Sequence, residues 1–232
     1  MPSQPYLMMV QKRNEMKKAQ SGFTLVEIAI VLVIIGLLLG GVLKGQEMIE
    51  NAKIKNAVND MNGVTAAYNS YIDRFRRLPG DDGPLLTLTA RGGPWANVTA
   101  GGNNNGIITI TQANTFTAGG EAVAFWQALK AAGFISGNPA DIGVAALPRN
   151  AFNALTGVGT GVTPATGTAV FSVCLSQVPG KAARAIDTQF DDGLPNQGSV
   201  LATLGAAGVN TAPGAAAAAY SDANQYTVCK AM

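Results

Sequence analysis

The chain has 232 residues, of which 47% are hydrophobic and only 13% are charged, and it contains no histidine. An average soluble domain carries about 25% charged residues, so this chain is poor in charge. The lack of histidine excludes a Ser-His-Asp triad, a Cys-His pair and His-ligated zinc or haem. Two cysteines exclude an all-cysteine zinc site and a thiolate-held iron–sulfur cluster. A net charge of +2 is too small to indicate nucleic-acid binding.

The basic residues are concentrated before a long apolar run. Residues 1–22 contain two Lys-rich clusters and one acid, Glu15, whereas residues 23–43 contain a single charge, Glu27. A bilayer core needs about 20 apolar residues in a helix, so residues 23–43 are predicted to span a membrane. The basic side should stay in the cytoplasm and the rest of the chain should be exported. A secretory signal peptide has a shorter apolar region and a small-residue cleavage site, which this run lacks.

Glu27 is the feature that a simple membrane anchor does not explain. A carboxylate costs about 2.5–3.5 kcal/mol at the centre of a membrane helix and less near an end. An ionisable residue in such a segment is therefore a candidate functional residue. The alternatives are an incidental carboxyl near the membrane interface and a carboxyl that is protonated in the isolated chain.

The sequence KAQSG at residues 18–22, followed by FTLVE at residues 23–27 and the apolar run, resembles the processing motif of type IV pilins and their relatives. The resemblance implies that a prepilin peptidase removes residues 1–22 by cutting between Gly22 and Phe23. It also implies that the new amino group of Phe23 is methylated. The leader is long for pilins that begin with Phe, and no proline occurs between Pro5 and Pro79, where the family often has one.

The same resemblance implies a role for Glu27 in assembly. In the family, this carboxylate faces the Phe23 ammonium of a neighbouring subunit, and two such charges about 4 Å apart attract by roughly 4 kcal/mol at an effective dielectric near 20. The implied partners are copies of this chain and related pilins in a helical filament, the prepilin peptidase, an inner-membrane assembly platform and, before assembly, the membrane. The implied location is the inner membrane for the precursor and then an extracellular filament.

The helix is predicted to continue well beyond the apolar run. Apolar residues recur at steps of three and four as far as Phe75, and the sequence Leu78-Pro79-Gly80 ends the pattern. One helix is therefore expected over residues 23–78, with a globular head over residues 79–232. The predicted fold class is α+β, in which a long N-terminal helix packs on the antiparallel sheet of a pilin head.

The head is predicted to contain a second helix and several strands. The helix is expected at residues 121–134. Strands are expected at residues 107–110, 169–178, 183–190, 198–204 and 225–230, and residues 205–219 are expected to form an exposed loop.

Cys174 and Cys229 lie in two of these predicted strands. In an exported domain, two cysteines favour one disulfide over two free thiols. Closing a loop of this size stabilises by about 4 kcal/mol in the chain-entropy model. Type IV pilins often join their C-terminal region in this way.

Two charged groups in the head have alternative interpretations. The acidic stretch containing Asp187, Asp191 and Asp192 resembles the calcium-binding loops of some pilin-like proteins, although Asp and Gly also form ordinary turns. Calcium is the only cofactor that the sequence suggests. The arginines at 74, 76, 77 and 91 favour a solvated face or an inter-subunit salt bridge over nucleic-acid contact.

These observations favour a structural subunit, major or minor, of a type IV pilus used in adhesion, motility or DNA uptake. One alternative is a pseudopilin of a type II secretion system, which shares the processing motif. A second is a minor tip pilin that acts as an adhesin or DNA receptor. An enzyme is not expected, because no nucleophile–base pair is visible in the sequence.

Overall fold

The computed structural model describes residues 22–117 and 119–232, so the predicted leader lies outside the described residues except for Gly22. The described chain divides into two units, of which the first ends at Gln46 and the second comprises Glu47–Met232. A single long helix, α1 (Leu25–Phe75), supplies the regular structure of the described residues of the first unit and the opening segment of the second. Its bounds differ from the predicted range by only two or three residues at each end.

The part of α1 that belongs to the second unit buries one narrow stripe. Six residues three or four positions apart form it: Ile54, Ala57, Met61, Val64, Ala67 and Tyr71. This spacing places them on one side of a helix, as the sequence pattern predicted. Met48 and Ile49 precede this stripe in the helix and are both exposed, so burial begins only at Ile54.

The sheet has four antiparallel strands in the order β1-β2-β4-β3. The strands are β1 (Thr156–Thr160), β2 (Phe171–Pro179), β3 (Val200–Gly205) and β4 (Gln225–Ala231). The predictions for β2, β3 and β4 are confirmed to within a few residues. The C-terminal strand β4 lies between β2 and β3, which makes it central to the sheet. Lys230 of β4 reaches the Thr65 hydroxyl of α1 over 3.5 Å, so the sheet faces the buried stripe.

The edge strand β1 was not predicted, because its sequence contains two glycines. A Cβ at Gly157 would lie 2.1 Å from the Thr115 carbonyl oxygen and 2.8 Å from the Phe116 ring. Only glycine at this position lets β1 approach the segment that contains Thr115 and Phe116 this closely. The predicted strand at residues 107–110 is wrong, since that segment forms no ladder. The Thr160 N–H donates to the Ile110 carbonyl at 2.8 Å, and the Thr109 N–H donates to the Glu121 carboxylate instead of to a strand.

The helices of the head include one confirmed prediction and one correction. Helix α3 (Glu121–Ala131) confirms the second predicted helix. Residues 183–190 form part of a helix, α4 (Gly180–Phe190), so the strand predicted there is wrong. Ala182, Ala183 and Ile186 are buried at helical spacing on α4, and alanine favours helix over strand. A short helix, α2 (Leu85–Thr89), and 3-10 turns at Gly93–Asn97, Gln112–Asn114 and Gly143–Ala146 lie in segments predicted as loops or left unassigned.

The core of the head joins α1, α3 and the sheet in one apolar cluster. Helix α3 is buried from Ala122 to Ala131, and its residues Gln127 and Lys130 are paired inside the protein. The side-chain oxygen Oε1 of Gln127 accepts the backbone N–H groups of Thr99 at 3.0 Å and Ala100 at 2.9 Å. The Lys130 ammonium lies 3.0 Å from an Asp141 carboxylate oxygen. Buried polar groups are tolerated when they are paired in this way.

We expect Gly157→Ala to destabilise the head by about 1–3 kcal/mol, because the methyl group of the new alanine would overlap the Thr115 carbonyl oxygen. Urea unfolding of the full chain in lipid nanodiscs, followed by the fluorescence of Trp95 and Trp126, measures this change. Gly63→Ala is the matched control, since open space surrounds a Cβ at this helical position. Alanine at Gly63 should leave stability unchanged or raise it by up to about 1 kcal/mol. Equal stabilities of the two variants would contradict the packing argument.

Candidate functional site

The start of α1 is a capping box built from Thr24 and Glu27. The Glu27 carboxylate oxygen Oε2 accepts the backbone N–H of Thr24 and its hydroxyl, each at 2.8 Å. In return, the Glu27 N–H donates to the Thr24 hydroxyl oxygen at 3.2 Å. These bonds satisfy N–H groups that have no partner at the start of a helix. The pattern Thr-x-x-Glu is visible in the sequence, and it is the signal from which this cap could have been predicted.

An uncovered apolar surface follows this box. Every residue from Gly22 to Lys44 is exposed, including Phe23 at 83% and Leu25 at 91%. The helix is long and apolar enough to cross a membrane, and its most apolar stretch contains no buried residue. Water is a poor solvent for such a surface, so it requires lipid or other protein chains.

The glycines of this segment create shallow places on the helix surface. A Cβ at Gly36, Gly40, Gly41 or Gly45 would meet nothing within 4 Å. Gly36 and Gly40 are four residues apart, as are Gly41 and Gly45, a spacing that permits another helix to approach closely. The described residues therefore leave this part of α1 open to lipid or to a second helix.

Two comparisons with known proteins bear on this segment. Residues 17–43 match a family model described as the prokaryotic N-terminal methylation motif. The chain is also 31% identical over 108 residues to the fimbrial protein EcpC of Eikenella corrodens, a match that covers 45% of this chain and 71% of that protein. The chain belongs to the type IV pilin-like family. The family points to a structural protein rather than an enzyme.

The predicted pilin cleavage site lies directly before the helix. Gly22 and Phe23 are both outside regular structure and exposed, and α1 begins two residues later. A protease binds its substrate in extended form, so a bond just outside a helix is accessible to it. Cleavage between Gly22 and Phe23 and methylation of Phe23 stay predictions.

Cys174 and Cys229 form a disulfide between the two central strands of the pilin head. The two residues are directly paired in the register of β2 and β4, with a Cα–Cα distance of 4.0 Å. Both are buried, at 0% and 2% exposure. The bond links the C-terminal strand to the middle of the sheet, as the sequence predicted.

The three aspartates of the acidic stretch have separate structural roles. Asp187 is fully buried on α4, and its carboxylate accepts the Tyr220 hydroxyl at 2.7 Å and the Gly193 N–H at 3.1 Å. The Asp191 carboxylate accepts the Ser199 N–H, and the Asp192 carboxylate accepts the Leu194 N–H at 2.8 Å. Among the described residues, no group of three or more Asp, Glu or Cys side chains could hold a metal ion. Calcium binding here stays a prediction.

A second acidic pair, Asp81 and Asp82, is buried where α1 ends. Asp82 accepts the Tyr71 hydroxyl at 2.5 Å and pairs with the Arg91 guanidinium at 2.9 Å. Burial and this hydrogen bond raise the pKa of Tyr71, which keeps it a neutral donor. The neighbouring Asp81 accepts the N–H groups of Asn105 at 3.0 Å and Gly106 at 2.8 Å.

The arginines of the predicted basic cluster all have partners within the head. The Arg91 guanidinium also lies over the Trp95 ring at 4.6 Å, and Arg77 donates to the Asn104 side chain. Arg74 lies over the Phe75 ring at 5.2 Å. Arg76 is 4.0 Å from Asp73 on the exposed end of α1. Contacts of this kind, made within the chain, give no separate support for nucleic-acid binding.

The stability of the head should depend on the protonation of Asp187. Burial, together with the nearby carboxylates of Asp192 and Asp191, raises the pKa of Asp187 to about 6. The hydrogen bonds from Tyr220 and Gly193 act in the opposite direction and lower the pKa, but by less. Because this pKa is above its unfolded value, the stability it contributes is complete below about pH 4 and is lost as the pH rises through about 6. We expect a decrease of the order of 2–3 kcal/mol between these limits.

Urea unfolding of the full chain at a series of pH values measures this decrease. Asp187→Asn keeps the shape of the side chain but cannot ionise, so it should remove most of the change between pH 4 and pH 7. Asp73→Asn, at an exposed position of α1, is the control and should retain the decrease. If Asp187→Asn and the unmodified chain had the same pH profile, the buried carboxyl would not be its source.

Proposed function

We propose that this chain is a structural subunit of a type IV pilus, cut between Gly22 and Phe23 and polymerised through the N-terminal part of α1. The observation that carries the proposal is the uncovered apolar surface over residues 22–44. In the precursor, a bilayer would cover it, because the segment is long enough to span one. In the filament, the same segments of neighbouring copies would cover each other.

The charge at Glu27 supports assembly over simple anchoring. Both described hydrogen bonds to its carboxylate use Oε2, so the cap and a contact with a second partner are geometrically compatible. Cleavage would create an ammonium on Phe23, four residues away in sequence. An ion pair between this ammonium and Glu27 of a neighbour would favour transfer from lipid to filament and define the axial stagger of the subunits.

The likeness to a fimbrial protein favours a surface pilus over the secretion pseudopilus. We propose the inner-membrane assembly platform and the prepilin peptidase as its partners during export. We propose adhesion, motility or DNA uptake as the role of the filament. A DNA receptor is the weaker proposal, since Arg77 is paired with Asn104 and Arg91 with Asp82.

The capping box allows the charge of Glu27 to be tested separately from its cap. Glu27→Gln keeps an oxygen that can accept from Thr24, and Gln is accepted at this position of a capping box. Thr24→Ala removes the hydroxyl of the box but keeps the Glu27 charge. We expect Glu27→Gln to reduce sheared surface filaments by at least tenfold, because an attraction of roughly 4 kcal/mol is lost. Thr24→Ala should change the yield much less.

The measurement combines filament yield with the intact mass of the membrane-bound chain. Both variants should be cleaved after Gly22 and methylated on Phe23, so that a loss of filaments reports on assembly. Normal filament yield with Glu27→Gln would contradict charge pairing. A loss confined to Thr24→Ala would assign the effect to the cap instead. A chain that retains residues 1–22 in cells with active peptidase would overturn the pilin function itself.

A further inference from the structure

The sequence contains two Asn-Gly pairs, and the structure places them in opposite settings. Asn62-Gly63 lies inside α1, whereas Asn105-Gly106 lies in an exposed loop outside the helices and strands. In such a pair, the backbone nitrogen of the glycine can attack the side-chain amide carbon of the asparagine, because glycine has no side chain to block the approach. Inside a helix the glycine N–H is bonded to a carbonyl one turn earlier. The loop pair is therefore the one whose nitrogen is open to this reaction.

The nitrogen of Gly106 is hydrogen-bonded to a carboxylate. Its N–H donates to Oδ2 of Asp81 at 2.8 Å, and the N–H of Asn105 donates to Oδ1 of the same side chain at 3.0 Å. Asp81 is only 2% exposed, so its carboxylate is held against the loop. A general base has to lie about 2.6–3.2 Å from the atom whose proton it removes. Asp81 is thus placed to take the proton that the Gly106 nitrogen must lose before it can attack.

The side chain of Asn105 is folded over the same peptide bond. Its Oδ1 accepts the N–H of Ile107 at 2.9 Å, which forms an Asx turn and brings the amide carbon next to the Gly106 nitrogen. Attack on that carbon would place negative charge on Oδ1, where the Ile107 N–H already donates. A donor about 2.7–3.1 Å from a developing oxyanion stabilises the transition state. Nucleophile, base and oxyanion donor therefore meet at one amide.

We propose that Asn105 is a self-modifying site, which deamidates with Asp81 as the general base. As the proton of the Gly106 nitrogen moves to Asp81, this nitrogen bonds to Cγ of Asn105. The Cγ–Nδ2 bond then breaks, and the amide nitrogen leaves as ammonia with the proton from Asp81. Water opens the resulting succinimide ring at one of its two C–N bonds, which gives aspartate or isoaspartate. The reaction consumes one water, releases one ammonia and involves no oxidation or reduction.

The surroundings of the loop suit the water and the product of this reaction. A cavity of about 520 Å³ borders Asn105 and is lined on its other side by Arg76 and Arg77 at the end of α1. Asn105 is exposed, so water reaches the succinimide. The new carboxylate would form on a surface with two guanidinium groups, of which Arg77 already donates to the neighbouring Asn104 side chain. Deamidation would therefore change the charge balance of this end of the head.

Mass spectrometry of peptides from the full chain, incubated at neutral pH in lipid nanodiscs, measures the reaction at each asparagine. Incubation in heavy-oxygen water labels the product, because water supplies the new oxygen. We expect Asn105 to react at least tenfold faster than Asn62 or Asn103. Asn103 is the control within the loop: it forms the same kind of turn, but the next N–H, of Asn104, donates to the Asp81 backbone carbonyl at 2.8 Å, which is not a base. Complete conversion at Asn105 in freshly prepared protein would be the same result.

Unfolding in urea separates the effect of the fold from that of the Asn-Gly sequence. Without the nearby carboxylate, Asn105 should slow at least tenfold in urea, whereas Asn62 should speed up as its helix melts, until the two rates are equal. In the folded chain, Asp81→Asn should slow Asn105 by a similar factor, and tryptophan fluorescence checks that this variant folds. Asp73→Asn, at an exposed position of α1, is the matched control and should leave the rate unchanged.

Three results would overturn the proposal. If Asn105 reacted as fast in urea as in the folded chain, the Asn-Gly sequence alone would account for the reaction. If Asn105 stayed unmodified in the folded chain, the bonds from Asp81 and Ile107 would lock the loop rather than activate it. If folded Asp81→Asn reacted at the unmodified rate, the carboxylate would not be the base. The comparison of native and urea-treated chains needs no variant, so it decides the matter even where Asp81→Asn does not fold.

Discussion

The apolar surface at the start of α1 has no cover among the described residues, and the organisation of the chain follows from that constraint. Residues 22–44 are all exposed, whereas the stripe from Ile54 to Tyr71 is buried by the head. The same helix therefore has to suit lipid or neighbouring chains in one part and its own sheet in another. This explains why apolar residues cover all sides of the N-terminal part of α1 but only one face of its C-terminal part.

The head holds its part of α1 through close backbone approach and buried polar pairs as well as apolar packing. Gly157 lets β1 approach the Thr115 carbonyl, and Asp82 joins Tyr71 of α1 to Arg91. Charged residues are few in this chain, yet several of them are buried in such pairs. Removing one partner would leave the other buried without compensation, which is far costlier than losing a surface contact. The disulfide adds a covalent link between the central strands.

The parts of the fold that could be predicted from the sequence are those with a strong local pattern. The long helix, α3, three of the four strands and the disulfide fall in this class. Residues 183–190 of helix α4 were predicted as a strand, although the alanines of this helix favour helix. The strand β1 was missed because its glycines serve a contact with a segment some forty residues earlier. The buried state of Asp82 depends on Tyr71 and Arg91 together, which no local pattern reveals.

The candidate site also combines a feature that the sequence reveals with one that only the structure reveals. The family motif pointed to Glu27 through its charge, whereas the structure shows that its carboxylate also closes the first turn of α1. In lipid, each unpaired N–H costs several kcal/mol, so a capping carboxylate meets a need that exists before any assembly. Thr24 and Glu27 both lie on the C-terminal side of the proposed cleavage bond, so the capping box would survive processing. The new ammonium on Phe23 would then form beside a helix start that is already complete, and remain available to a neighbouring subunit.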